Sequence, residues 1–532
     1  MHLPKLFPII FANVALLLTA NHSNGQSDEE ITRVFQDGNQ SYFNHLASDE
    51  QGIWVYVDAV DYLYQLTSDL KLHIKHPTPQ PKSANCTRSS YNCSKEAKRA
   101  YMNENQVLVL DHLNQQLLSC SSYFPGLCRA HDTENISKIV ATSSEPALQS
   151  GPLQEMVAFV APTLSSTPAS VLHVAFLIRS HQPTEFALIT TVRSTQRDRF
   201  LSKLGENTIN YGVFMRTIYG FNYGNSGYIL LRGFADWGLP IDSLRAGITL
   251  QAKSALVIKI DRENGNYSYS KFVLTCDDYF QKSNFSATDY TSTSMNLDKA
   301  YIYENKQEID EKVLFTLFGM YADAEDYYKK QPVGFAVCMH RLNKIHYDPI
   351  RKYDVLDGVL VYSHQGRDIA PTGIAVTSVN NYTVLFMGTQ TGHLHKVSVR
   401  GYDSPDADTA NIYADITIDN GSVINPDILY DSKMNHILGM TKEKIVKIKM
   451  HNCEKYNTSG ECLLAKDPHC GWCSPEGRCR TQIECTDTYT NSNKWISIDG
   501  HEVPQPNLGN PSQKKMSFLL IVCIFVLLVF YL

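Results

Sequence analysis

Cys453-x8-Cys462-Leu-Leu-Ala-Lys-Asp467-Pro468-His-Cys470-Gly471-Trp472-Cys473-x5-Cys479-x5-Cys485 gathers six cysteines into one short stretch near the end of the chain. So short a segment cannot bury an adequate apolar core, and covalent crosslinks must hold it. The composition changes at Cys453, which sets a boundary between a large body at 30–450 and a small cysteine-rich module at 452–486. Residues 487–515 are polar, with Asn, Ser and Pro, and read as a stalk.

Upstream of that boundary, short apolar runs recur between turn residues. They lie at 53–57, 107–110, 171–178, 187–192, 228–231, 255–260, 383–387 and 445–448. β-branched and aromatic residues broken by Gly, Asn and Asp at this density predict an all-β domain. The 30 Tyr and 22 Phe lean the same way. About 400 residues of antiparallel strands must hide their edges, and a ring of small sheets does so at any size. A β-propeller is therefore the leading architecture, and stacked sandwiches the second. No clean repeat of ~40 residues marks the blades, so this pattern leaves their number open.

Bulk properties narrow the class. A 532-residue chain exceeds one ordinary core. Hydrophobic residues at 43% and charged residues at 19% exclude general disorder. A net charge of −6 gives no basic footprint for nucleic acid.

The two ends carry targeting signals. Residues 1–20 open with His2 and Lys5 and continue into an apolar run, the layout of a secretory signal peptide cleaved after Ala20 or Gly25. Pro4 and Pro8 argue against a buried helix there. Residues 516–532 are almost wholly apolar and fall short of the ~20 residues that a span needs. Lys514 and Lys515 sit on the flank that would be lumenal, the reverse of the usual bias. A polar spacer followed by an apolar tail is the layout of a GPI signal, with Asn507 or Gly509 as the attachment residue. A single C-terminal span is the alternative. Both predict tethering to the extracellular face of the plasma membrane. Twelve of the thirteen cysteines lie between the ends, and Cys523 lies in the tail. An even number in an oxidising compartment predicts full pairing. Sequons at Asn39, Asn135, Asn266, Asn284, Asn381, Asn420 and Asn457 are expected to carry glycans on exposed loops; those at Asn85 and Asn92 are each followed by a cysteine.

The cysteine-rich stretch resembles the PSI module of plexins, semaphorins and integrins, through its Asp467-Pro468-x-Cys470-Gly471-Trp472-Cys473 core. Its Cys-Gly-Trp-Cys form is similar to plexins; semaphorins usually carry Asp in place of the second cysteine. Val55-Tyr56-Val57-x-Ala59-Val60-x2-Leu63-Tyr64-Gln65-Leu66 resembles the opening of a plexin-type sema domain. Asn105-Gln-Val-Leu-Val-Leu-Asp111, Leu117-Leu118-x-Cys120 and Gly126-Leu-Cys128 continue that likeness. Phe386-Met-Gly388-Thr389-x2-Gly392-x-Leu394-x-Lys396-Val397 is similar to its late signature. The resemblance covers roughly residues 30 to 485 and implies a seven-bladed β-propeller (sema domain) followed by a disulfide-rich PSI module. Implied bridges are Cys86–Cys93, Cys120–Cys128 and Cys276–Cys338 in the propeller, and Cys453–Cys470, Cys462–Cys479 and Cys473–Cys485 in the module. The family's usual eight PSI cysteines are six here, with Ser459 at the place of the second and no eighth after Cys485. Those two are partners in the family, so one whole bridge is expected to be lost. Plexins continue into further extracellular modules and an intracellular GTPase-activating region, neither of which this sequence contains.

Chemistry finds little purchase. Gly-x-Ser-x-Gly is absent, the resemblance implies a partner for each cysteine outside the tail, and no catalytic residue or cofactor is expected. Zinc on Cys470-x2-Cys473 with Cys479 and Cys485 has tolerable spacing but needs thiolates that oxidation consumes. His393 and His395 share one face of a strand with no third ligand nearby in sequence, and read as a plain strand face. Asp403, Asp406 and Asp408 lack the pattern of a calcium loop and read as a solvated turn. No metal is expected. Trp472 reads as the core of the module over its bridges rather than as a binding hot spot. The resemblance implies a cell-surface plexin-like protein that binds semaphorins or related sema-domain partners in guidance signalling, without its own cytoplasmic region. Alternatives are a semaphorin-like ligand that homodimerises and engages a plexin, and a secreted propeller hydrolase. The hydrolase would need acidic residues converging on the central channel. The ligand-binding residues stay unassigned.

Overall fold

A computed structural model describes residues 30–38, 42–49, 51–78, 105–121, 127–143, 156–162, 170–179, 185–194, 202–210, 216–223, 226–232, 254–263, 266–276, 294–304, 312–321, 332–348, 353–431, 433, 435–485, 495–500 and 502–503. The chain divides into two compact units, Met1–Met450 and His451–Leu532.

In the first unit the apolar runs become four-stranded antiparallel sheets, seven of them among the described residues. Blade 1 is Phe43–Ser48, Trp54–Ala59, Tyr62–Thr67 and Leu72–Pro77. Blade 2 is Asn105–Asp111, Gln116–Ser121, Cys128–Asp132 and Ile139–Thr142. Blade 3 is Met156–Pro162, Ser170–Arg179, Glu185–Ser194 and Ser202–Asn210. Blade 4 is Arg216–Tyr223, Ser226–Arg232, Ser254–Glu263 and Asn266–Thr275. Blade 5 is Ser294–Glu304, Lys312–Tyr321, Gly334–Arg341 and Val359–Gln365. Blade 6 is Pro371–Val379, Tyr382–Thr389, His393–Arg400 and Asp406–Thr417. Blade 7 joins Leu429–Asp431, His436–Met440 and Ile445–Lys449 to Ile31–Phe35, which comes from the start of the domain. The first strand of each blade touches the first strand of the next, and blade 7 touches blade 1. The sheets therefore close into a propeller, and stacked sandwiches are excluded.

Closure explains the residue pattern. Each blade packs a neighbour on both faces, so its middle strands need no polar side: Tyr382–Thr389 is buried along its whole length. The cores are accordingly wedges between blades. Val55, Val57 and Leu66 of blade 1 pack on Leu438 and Met440 of blade 7. Phe335 and Val337 of blade 5 meet Leu385 and Val397 of blade 6. Two departures from a plain ring stand out. Ile31–Phe35 pairs antiparallel with Ile445–Lys449, so the two ends of the domain lock each other. His346–Asp348 and Tyr353–Asp357 leave blade 5 and extend blade 4, Tyr353–Asp357 running parallel to Asn266–Thr275 and covering that blade's open edge.

The second unit is a four-stranded sheet in the order Arg478–Thr481, Cys470–Cys473, Trp495–Ile496, Glu502–Val503, with a short helix Ser459–Leu464. Thr458 and Glu461 cap that helix reciprocally. The expected stalk at 487–515 is corrected here. Trp495 and Val503 belong to strands of the module, which runs past its expected end at 486. The physical reason is Trp495, 1% exposed, whose ring packs with Cys473 and Cys485. Among the described residues, no helix is long and apolar enough to cross a membrane. The signal peptide expected at 1–20 and the anchor expected at 516–532 lie outside them.

Candidate functional site

Two carboxylates gather about one histidine at the junction of blades 1 and 7. His45 stands on the innermost strand of blade 1, opposite Asp58 in register on the second strand. Asp427, just ahead of the innermost strand of blade 7, lies 2.9 Å from His45 Nδ1. Both of those side chains are about one-third exposed. Burial opposes charge on His45, but the Asp427 carboxylate outweighs it and raises the imidazole pKa. Burial opposes charge on Asp427 too, and the His45 bond still lowers its pKa. Asp58 differs. It is fully buried, and burial pushes its carboxyl up to about 7, with the nearby His45 charge restraining the rise. The Asn105 amide is close enough to favour the charged form slightly, yet neither carboxylate oxygen has a partner in hydrogen-bonding geometry. A general acid must reach its substrate. A carboxyl with no solvent contact cannot, so Asp58 is the buried member of a polar knot whose other two members, His45 and Asp427, reach solvent.

A second cluster sits between blades 5 and 6. His393 and His395 share one face of their strand, and Asp415 lies opposite His395 in register on the next strand. Asp415 Oδ1 is 2.9 Å from His393 Nδ1 and 3.4 Å from His395 Nε2. The expectation of a bare strand face is thus corrected. The third donor existed, but it is contributed by an adjacent strand and is invisible to local spacing. His395 is only 12% exposed, and burial lowers its pKa. Its Nδ1 has no hydrogen-bond partner. His364 and Asp368, bonded to each other at 2.9 Å, lie within electrostatic reach.

Of the three aspartates expected in a solvated turn, only Asp403 lies in a bend; Asp406 opens the outer strand of blade 6 and Asp408 lies within it, which corrects that expectation. Arg341 bonds Asp403, and the Asp406 carboxylate accepts from the amide of Asp408. Asp403 also lines a cleft with Tyr303, Arg341, Thr377, Ser378 and Tyr402.

Five disulfides are present among the described residues: Cys120–Cys128, Cys276–Cys338, Cys453–Cys470, Cys462–Cys479 and Cys473–Cys485. Cys276–Cys338 ties the end of blade 4 to the third strand of blade 5. Cys86 and Cys93 lie outside the described residues, as do Asn39, Asn85, Asn92, Asn284, Asn507 and Gly509. Asn266 opens a strand of blade 4. Asn135, Asn381, Asn420 and Asn457 are all exposed. Asn380 and Asn381 both take positive φ, +49° and +64°, the backbone of a two-residue hairpin turn that holds Asn381 at the tip.

The motifs of the sequence acquire causes. Gly392, at φ +89°, would drive a Cβ to within 1.9 Å of the Asp419 carbonyl oxygen, so only glycine fits. Asp467 Oδ1 accepts from the amide and ring of His469, both at 3.0 Å, which sets the turn into Cys470. Gly471 lies under the ring of Trp495, leaving no room for a side chain. Trp472, read as the core of the module, is half-buried over the Cys453, Cys462, Cys470 and Cys479 cluster; the fully buried tryptophan is Trp495. Sequence reasoning missed it because a lone aromatic residue in a polar stretch has no periodicity.

Comparison with known proteins agrees with this geometry. A family model, PSI (plexin repeat), matches residues 452–501. Plexin-B2 of Mus musculus is 25% identical over 493 residues, 84% of this chain and 26% of its own length. The chain thus spans about a quarter of the length of the curated relatives it matches. Among solved structures, the full extracellular region of Plexin A4 aligns with a TM-score of 0.64 at 17% identity, covering 86% of this chain and 51% of that one. A chain from Drosophila Plexin A in complex with Semaphorin 1b aligns with a TM-score of 0.62 at 13% identity, covering 90% and 98%. A ring of four-stranded sheets, a cysteine module with a plexin repeat, and plexin likeness across both lead to one conclusion: the chain is a plexin-like protein, a sema domain followed by a PSI module.

Proposed function

We propose that this chain is a cell-surface recognition protein of guidance signalling, which binds a semaphorin or related sema-domain partner through its propeller and performs no catalysis. The observation that carries this reading is the plexin likeness, which spans 84% of the chain and is joined by the plexin repeat matched at residues 452–501. Five disulfides support an oxidising, extracellular setting. The buried state of Asp58 supports recognition over hydrolysis. Exposed Asn135, Asn381, Asn420 and Asn457 would carry N-linked glycans. The partner would dock on loops or blade edges through a standard-size interface of ~1,600 Å² in total.

A second reading, a semaphorin-like ligand that dimerises and engages a plexin, draws on the likeness to Drosophila Semaphorin 2a, TM-score 0.61. One experiment separates the two. Cells displaying the full chain are incubated with panels of soluble semaphorin and plexin ectodomains, and the mass of the purified chain is measured by size exclusion with light scattering. Capture of semaphorins by a monomer supports the receptor reading. Capture of plexins by a dimer supports the ligand reading. Silence against both panels removes both. Attachment by GPI at Asn507 or Gly509 remains our proposal for tethering, and resistance of the surface-displayed chain to phosphoinositide-specific phospholipase C would reject it.

A further inference from the structure

We propose that His393, His395 and Asp415 form a binding site for a divalent transition-metal ion, Zn2+ in particular, on the face of blade 6 turned toward blade 5. Two imidazoles and one carboxylate, all within 4.8 Å of one another, form the donor set. In a tetrahedral zinc site with bonds of about 2.0–2.1 Å, neighbouring donor atoms stand roughly 3.3 Å apart. The 3.4 Å from His395 Nε2 to Asp415 Oδ1 already meets this, and the 2.9 Å from His393 Nδ1 needs only a few tenths of an ångström.

The site is built on strands rather than loops. Period-two alternation puts both histidines on the face toward blade 5, where Val397 and Val399 of the same strand pack on Val361 and Tyr362. Antiparallel pairing then sets Asp415 directly across from His395. Asp415 is 55% exposed and His393 27% exposed, so an ion can enter from solvent and keep water in its remaining positions. Nitrogen donors with one carboxylate favour Zn2+ over Ca2+, which takes six to eight oxygens. His395 Nδ1 lacks the acceptor that usually orients a zinc-bound histidine, and outer-sphere partners of that kind contribute about 10–100-fold in affinity. The expected site is accordingly one of modest affinity, responsive to the free extracellular concentration of the ion.

The test uses the full chain purified without a histidine tag and stripped with chelator. Zn2+ uptake is measured by equilibrium dialysis, with Co2+ as the spectroscopic probe. Wild type should take up one Zn2+ per chain, and bound Co2+ should show the intense visible bands of a tetrahedral site. His393→Ala and Asp415→Asn, both on partly exposed side chains that spare the core, should each weaken uptake by at least about ten-fold. His395→Ala should abolish it, with circular dichroism confirming that the sheets persist. Absence of stoichiometric uptake by wild type would overturn the proposal. So would uptake that His393→Ala and Asp415→Asn leave unchanged, since the ion would then sit elsewhere.

Discussion

Lys396 has a cation in the wedge between blades 6 and 7, 1% exposed, with its ammonium 2.6 Å from Glu30 and 2.8 and 3.1 Å from the carbonyls of Lys449 and Met450. Three acceptors satisfy it, and the pair joins the start of the domain to its end. Removing one partner strands a buried charge, which costs about 3–5 kcal/mol. Lys396→Ala and Glu30→Ala should therefore each lower the denaturation midpoint sharply, and a Lys396→Met, Glu30→Leu double variant should recover much of the loss. Asp58 gives a prediction with a pH axis. Its folded pKa, about 7, stands above its ordinary 3.8, so the folded state holds a proton that the unfolded state has released. Stability from this group is full below pH 4 and falls as pH rises through 7, by a total on the order of 4 kcal/mol. The raised pKa of His45 works in the same direction, its contribution being lost as pH rises above 6.5. Asp58→Asn should match wild type near pH 4 and exceed it at pH 8 in urea denaturation. Parallel profiles for the two proteins would refute the assignment.

At the scale of elements, the third strand of the cysteine module decides its stability. Trp495 donates its indole N–H to the Arg480 carbonyl at 2.9 Å and packs with the Cys473–Cys485 bridge, while Gly471 provides the floor beneath it. Emptying that site should cost about 3–5 kcal/mol. Trp495→Ala should expose the module to limited proteolysis, and Trp472→Ala, whose ring is only partly buried, should do so less. Equal protection of the two variants would return the core to Trp472. The hairpin formed by His346–Asp348 and Tyr353–Asp357 teaches the same lesson. Thr275 donates to Asp357 at 2.6 Å and its carbonyl accepts from Gly358 at 2.8 Å, holding a segment from one blade on its neighbour.

For the whole propeller, closure is the dominant constraint. The last blade is completed by Ile31–Phe35, so the ring is clasped by hydrogen bonds between residues more than 400 positions apart. Deleting residues 30–35 would open blade 7 and remove Glu30 from Lys396. The expected outcome is retention in the secretory pathway, or a melting temperature lower by on the order of 10 °C in the secreted fraction. A synthetic peptide of the deleted strand should restore part of that loss. Unchanged secretion and melting would show that the ring does not depend on its clasp.

Composition, turn spacing and short apolar runs determined the all-β class, because a strand buried on both faces writes itself as a local run of β-branched and aromatic residues. The cysteine-rich stretch likewise declared a crosslinked module, since nothing else can stabilise so few residues. Gly392 and Lys396 stood out as residues of a motif, but their reasons did not, because one answers to the Asp419 carbonyl and the other to Glu30 at the far end of the domain. The strand at Trp495–Ile496, the polar knot at Asp58 and the meeting of His393 and His395 with Asp415 came only from tertiary structure. Each depends on side chains carried by different strands, and their spacing along the chain is set by turns and connections that hold no information about which residues face one another.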